Sequence, residues 1–134
     1  MVLVDSSVWI DLLRDRSTRA VVALRKLLDA GAAALSPVVY QEILQGAASA
    51  PHFERLRAYF STLPFLVPAH PVRSYERAAH LYARCRWLGL TPRSHTDCLI
   101  AQTAVDQETA LLAHDRDFDM IARAEPRLTL YEAK

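Results

Sequence analysis

The sequence predicts an α/β fold, with a central parallel sheet covered by helices on both faces. Two observations carry that prediction. Short apolar runs recur at residues 2–4, 33–35 and 110–113, each bounded by turn or capping residues. Between them lie longer stretches whose apolar residues repeat at helical spacing. Strands that alternate with helices pair in parallel, and a parallel sheet is buried on both faces.

The elements follow in order. Val2-Leu3-Val4 forms the first strand and residues 7–14 the first helix, capped by Ser6 or Ser7. Thr18 caps a second helix to about Ala30, which packs through Val21, Val22, Leu24, Leu27 and Leu28 and stops at Gly31. Ala33-Ala34-Leu35 is a short strand. Ser36-Pro37 supplies a cap followed by proline at the first helical position, and that helix continues through Ile43 to Gly46. Pro51 opens a helix over 52–61, and Phe65-Leu66-Val67, between Pro64 and Pro68, is an extended piece. A longer helix spans 72–88 with Val72, Tyr75, Ala79 and Tyr82 on its packed side. Ser94 starts a helix to about Asp106, Ala110–Ala113 is a strand, Asp117 to Arg123 a short helix, and Leu128-Thr129-Leu130 a last strand.

Composition narrows the class. With 134 residues the chain suits one domain, 1–134, and buries roughly two-thirds of its unfolded surface. It is 51% hydrophobic and 23% charged, an ordinary globular balance. No apolar run approaches the ~20 residues that span a membrane, and no signal peptide opens the chain. Cys85 and Cys98 lack metal-ligand spacing and read as core thiols, so a reducing, cytoplasmic setting is expected. Net charge is +1, yet 14 of the 16 basic residues are Arg, the side chain best suited to phosphate. Three glycines, at 31, 46 and 89, exclude a Gly-rich phosphate loop.

The carboxylates are the candidate chemistry. Asp5 follows the first strand, at the sheet edge where ligands bind in open α/β folds, although aspartate also serves turns and caps. A capping box opened by Ser36 would place its acid at position 39, where Val39 stands, so capping does not account for Glu42 at the margin of its helix's apolar face. Ser94-x-x-Asp97 fits a capping box, yet the helical wheel sets Asp97 among Ile100, Ala101 and Ala104, with Gln102, Thr103 and Asp106 on the wet side. A charge in a buried face is costly unless paired or metal-bound. Asp115, Asp117 and Asp119 crowd the end of a later strand, more acids than one cap needs; Asp115 is the best placed, Asp117 next, and Asp119 faces solvent. Four carboxylates from separate segments converge only around a cation, and oxygen-only ligands select Mg²⁺ or Mn²⁺. Such ions serve phosphoryl chemistry. No Ser/His/Asp or Cys/His constellation competes, and His95 and His114 stand beside candidate acids.

Four stretches in this order resemble a known family: residues 4–13 around Asp5, 41–46 around Glu42, 97–104 from Asp97, and 111–118 around Asp115 and Asp117. They are similar to PIN-domain ribonucleases, and more closely to the VapC toxins of bacterial toxin–antitoxin pairs, over essentially the whole chain. The resemblance implies a Rossmann-like α/β/α sandwich and a Mg²⁺- or Mn²⁺-dependent endoribonuclease using one or two ions. It further implies that Asp5, Glu42, Asp97 and Asp115 are the catalytic and metal-binding quartet, that Ser6 orients Asp5, and that Asp117 is a less constant supporting acid. A homodimer and a VapB-like antitoxin partner follow from the same likeness. Many relatives carry Thr or Ser where Ala113 stands, so one supporting hydroxyl is missing. Arg73, Arg77, His80 and Arg84 form a basic stripe that reads best as a solvated helix face, whereas Arg93 and Arg116 lie close to the acids and are expected to touch RNA phosphates. Two other classes compete: a catalytically inert PIN-like binding module, and a receiver-type phosphoacceptor, which the scarcity of Lys disfavours.

Overall fold

The computed structural model describes residues 1–132. Its centre is β1 (Val2–Val4), flanked in parallel by β2 (Ala33–Ala34) and β3 (Ala110–Leu112), in the order β2-β1-β3. Val2 pairs with Ala33 and Ala110, and Leu3 with Ala34 and Leu111. Leu3 and Val4 are fully buried, as the unbroken apolar run requires. The extended piece at Phe65 and the last strand at Leu130 each contract to one parallel bridge, to Leu35 and Leu111 respectively. Pro64 and Pro68 bracket the first of these and donate no ladder hydrogen bonds.

Seven helices among the described residues cover the sheet: α1 (Ser6–Leu13), α2 (Arg19–Asp29), α3 (Pro37–Leu44), α4 (Ala50–Phe60), α5 (Pro71–Trp87), α6 (His95–Asp106) and α7 (Asp117–Ala124). Capping set most of their starts. The Thr18 hydroxyl accepts from the Val21 N–H (3.1 Å), and Ser36 Oγ from the Val39 N–H (3.4 Å). At the end of α2 the N–H of Ala32 bonds Leu27 O and that of Gly31 bonds Leu28 O, a Schellman closure that needs the positive φ of Gly31 (67°). Within α2, Val22 faces solvent. α4 begins at Ala50, earlier than Pro51 suggested, because Ser49 caps it through the His52 N–H (3.2 Å).

Three expectations are overturned. The cap of α1 is Asp5 itself, whose Oδ2 accepts from the Ser7 N–H (3.1 Å); neither serine takes that place. α5 buries Ser74, Ala78, Leu81 and Cys85, while Val72 and Tyr75 are exposed. Small side chains let α5 lie close against α6, and the bulkier ones are left outside. α6 has no wet face at its middle: Gln102 and Thr103 are as buried as Ile100. Their polar atoms are satisfied within the helix, the Gln102 amide by Asp106 Oδ1 (2.8 Å) and the Thr103 hydroxyl by Leu99 O (2.8 Å).

One hydrophobic cluster joins the sheet to the helices on both sides. Trp9 is its largest fully buried side chain; its indole N–H donates to Val4 O (3.2 Å) and its ring meets Phe60 edge-on at 5.2 Å. Cys85 and Cys98 are buried free thiols, as expected, and burial pushes Cys98 up to about 12. Among the described residues no helix is long and apolar enough to cross a membrane.

Candidate active site

The strand ends deliver two carboxylates. β1 runs directly into Asp5, whose backbone N–H donates to Leu112 O (2.9 Å) and so ties it to the end of β3. β3 leads through Ala113 and His114 to Asp115. Asp97 enters from the first turn of α6 and Asp117 from the first residue of α7. Ligand atoms of Asp97, Asp115 and Asp117 lie within 4.8 Å of one another, a spacing that suits a shared cation. Asp5 and Glu42 stand outside that trio but act on it. The charges felt at Asp97 run in the order Asp5, Asp115, Asp117, Glu42. Asp117 shares the close cluster with Asp97 and Asp115, while Glu42, half-buried on α3, lies outside it.

Burial and mutual repulsion dominate the electrostatics. Asp97 is pushed up to about 7, by burial first and then by its four acidic neighbours. Burial also raises Asp5, against the opposing donors of Ser7, and raises Glu42, with Asp5 as the next cause. So many carboxylates at one sheet edge call for a compensating positive charge.

Four of the five carboxylates are held by one oxygen. Asp5 Oδ2 takes the Ser7 hydroxyl (2.6 Å) and N–H, while Asp5 Oδ1 is buried without any partner. Asp115 Oδ1 takes the Asp117 N–H (3.0 Å) and Arg93 Nη2 (3.1 Å). Asp117 Oδ2 takes the N–H (2.9 Å) and Nε (3.2 Å) of Arg93. Glu42 Oε1 takes the Ser6 hydroxyl (3.4 Å). Among the described residues no protein donor meets the second oxygen of any of these, nor either oxygen of Asp97. An orphaned buried oxygen on Asp5 is expensive unless a cation is its partner.

Several roles differ from those the sequence suggested. The Ser6 hydroxyl orients Glu42, and Ser7 orients Asp5; Ser6 lends Asp5 only the partial charge of its backbone N–H. Ser7 Oγ also accepts from the His114 N–H (3.1 Å), which links the ends of β1 and β3. Arg93, expected to reach outward to phosphate, bridges Asp115 and Asp117, although its side chain is 77% exposed. Arg116 is exposed and lines the open groove beside the acids with Arg93, His114, Asp115, Asp117 and Met120, a space of about 730 Å³. Asp119 faces solvent as expected. In the basic stripe of α5, Arg77 pairs with Asp106 (3.1 Å) and Arg84 with Glu125 (3.3 Å), which are structural engagements.

One pair went unread in the sequence. Asp11 is buried on α1, and its Oδ2 lies 3.0 Å from His114 Nδ1. Asp11 is four residues beyond Ser7, on the same helical face, a periodicity that could have drawn attention to it.

Comparison with known proteins agrees with this geometry. A family model described as PIN domain matches residues 2–124. VapC ribonuclease Mb1587 of Mycobacterium bovis is 35% identical over 125 residues, covering 92% of each chain. Ribonuclease VapC11 of Mycobacterium tuberculosis matches to the same extent. Among solved structures, a toxin–antitoxin complex from Klebsiella pneumoniae superposes with a TM-score of 0.69 at 21% identity, covering 98% of this chain and 99% of that one. FitAcB from Neisseria gonorrhoeae superposes with a TM-score of 0.68 at 19% identity, covering 99% and 98%. These two establish the α/β/α architecture with its central parallel sheet.

Proposed function

Since the chain belongs to the PIN-domain family and is similar to VapC ribonucleases, we propose that it is an endoribonuclease and the toxin of a toxin–antitoxin pair, a single domain over residues 1–134. The observation that carries the chemistry is the orphaned Oδ1 of Asp5 beside the Asp97–Asp115–Asp117 cluster. Asp5, Asp97 and Asp115 would hold a divalent cation, Mg²⁺ or Mn²⁺, with Asp117 and Glu42 completing the acidic surround for one or two ions. Bound there, the ion lowers the pKa of a coordinated water and stabilises charge on the phosphodiester oxygens.

The chain's own residues do the rest. Ser7 fixes the rotamer of Asp5 through its short hydroxyl bond, and Ser6 does the same for Glu42. Asp97, raised to about 7 by burial and its acidic neighbours, would give up its proton on holding a cation. Arg116, exposed on the groove wall, and Arg93, once free of its acids, offer bidentate contacts to RNA phosphates.

The partners follow from the same reading. An antitoxin would cover the groove, and the name of one solved neighbour, the toxin–antitoxin complex from Klebsiella pneumoniae, supports such a partner. Self-association as a homodimer would use the exposed apolar residues of α5, and the setting would be the cytoplasm.

Cleavage of structured RNA with and without added Mg²⁺, by the wild type and by Asp5→Asn, tests the assignment. The wild type should cut only with the ion, and Asp5→Asn should lose activity on the order of 10²-fold or more. Equal rates from the two proteins would refute it.

A further inference from the structure

Arg93 is the one cation among the described residues that contacts the acidic trio. It precedes the Ser94 cap of α6, so its backbone is fixed by the start of that helix. Its backbone N–H and Nε both donate to Asp117 Oδ2, and Nη2 donates to Asp115 Oδ1. Asp115 Oδ1 also receives the N–H of Asp117, the first residue of α7. Arg93 therefore ties the α5–α6 loop to the start of α7 across two of the candidate ligands. The guanidinium itself stays largely in solvent.

We infer that Arg93 is a resident counter-cation, which offsets the repulsion of Asp115 and Asp117 and sets the affinity of the site for its divalent ion. The inference rests on the metal-dependent reading above. A divalent ion held by Asp5, Asp97 and Asp115 would share the Asp115 carboxylate with the guanidinium and would repel it. Neutralisation by such an ion would replace that of Arg93, so the side-chain pairs of Arg93 to Asp115 and Asp117 would weaken together. The side chain is long and its head already lies in solvent, so the released guanidinium can turn into the groove without repacking the core. Metal loading and release of Arg93 from its two acids would then be one event, and the freed guanidinium would be available to a phosphate only when the ion is present.

Arg93 also keeps that affinity moderate. With the guanidinium gone, the same acids face the ion with no competing charge. Arg93→Gln should bind Mn²⁺ about tenfold more tightly than the wild type, and Arg93→Lys, which keeps the charge, should remain within about threefold. The backbone bond to Asp117 survives both substitutions, and the exposed side chain makes both variants fit to fold.

The experiment is a calorimetric Mn²⁺ titration of the wild type and the two variants, with the arginine Nε–H resonances of the wild type followed by NMR as diamagnetic Mg²⁺ is added. Tighter binding by Arg93→Gln alone, with an Arg93 resonance that moves towards solvent values as Mg²⁺ saturates, supports the inference. Equal or weaker binding by Arg93→Gln, while the wild type binds normally, overturns it and leaves the metal site standing. Absence of Mn²⁺ binding by all three proteins would overturn the metal site and this inference with it.

Discussion

At Asp97, burial and the charges of Asp5, Asp115, Asp117 and Glu42 act in one direction, and the carboxyl is raised from 3.8 to about 7. The folded chain therefore keeps a proton that the unfolded chain releases near pH 4. Stability from that proton is complete below about pH 4 and is lost as pH rises through about 7. Asp5 and Glu42 are raised as well and contribute with the same sign. In a metal chelator the melting temperature should fall between about pH 4 and pH 7. Asp97→Asn, which removes the buried charge, should flatten much of that fall and melt higher than the wild type near pH 8, while losing cleavage. Identical melting profiles for the two proteins would contradict this electrostatic account.

Position along the chain was enough to nominate Asp5, Asp97 and Asp115, because strand ends and helix starts are readable from apolar runs and caps. Which hydroxyl serves which acid was not readable. Ser6 and Ser7 are adjacent and chemically identical, and their exchange of roles depends on which of them points at β3 and which at α3. The pairing of Arg93 with acids more than twenty positions later depends likewise on how the α5–α6 loop lies against α7.

Among the elements, β1, β2, β3 and the capped helices follow directly from sequence, since a cap or a proline is a local signal with a local cause. The helix faces of α5 and α6 do not. A hydropathy wheel favours Val72 and Tyr75 over Ser74 and Ala78, but close helix packing favours the small pair. At the middle of α6 a wheel has no wet side to find, because Gln102 and Thr103 satisfy themselves within the helix. Val72 and Tyr75 of the misread face, and Trp87 at the end of the helix, stand in solvent at 75%, 60% and 72% exposure. Large side chains so exposed along one helix suit a second copy of the chain. Tyr75→Arg should shift sedimentation from twice the 15.1 kDa chain mass towards the monomer without lowering the melting temperature by more than a few degrees. A wild type that sediments as a monomer at high concentration would exclude the dimer.

For the whole molecule, the parallel order β2-β1-β3 decides where chemistry can occur. Parallel strands end on the same edge, so Asp5 and Asp115 arrive together, and the helices that start above that edge bring Asp97 and Asp117 with their N-termini. Trp9 and the cluster around it hold β1 rigid beneath the acids, and a rigid support makes a carboxylate an effective ligand. The sequence alone suggested this convergence; the three-dimensional arrangement adds that Asp5, Glu42, Asp115 and Asp117 are each pinned through one oxygen only and that Asp97 keeps both oxygens free of protein donors. Diffraction from crystals soaked in Mn²⁺, recorded for the anomalous signal of the metal, tests that arrangement most directly. A peak bounded by Asp5 Oδ1, Asp97 and Asp115, at coordination distances of about 2.1–2.3 Å, is the predicted result. A saturating soak that leaves this position empty, or that places the ion away from Asp5 and Asp97, would contradict it.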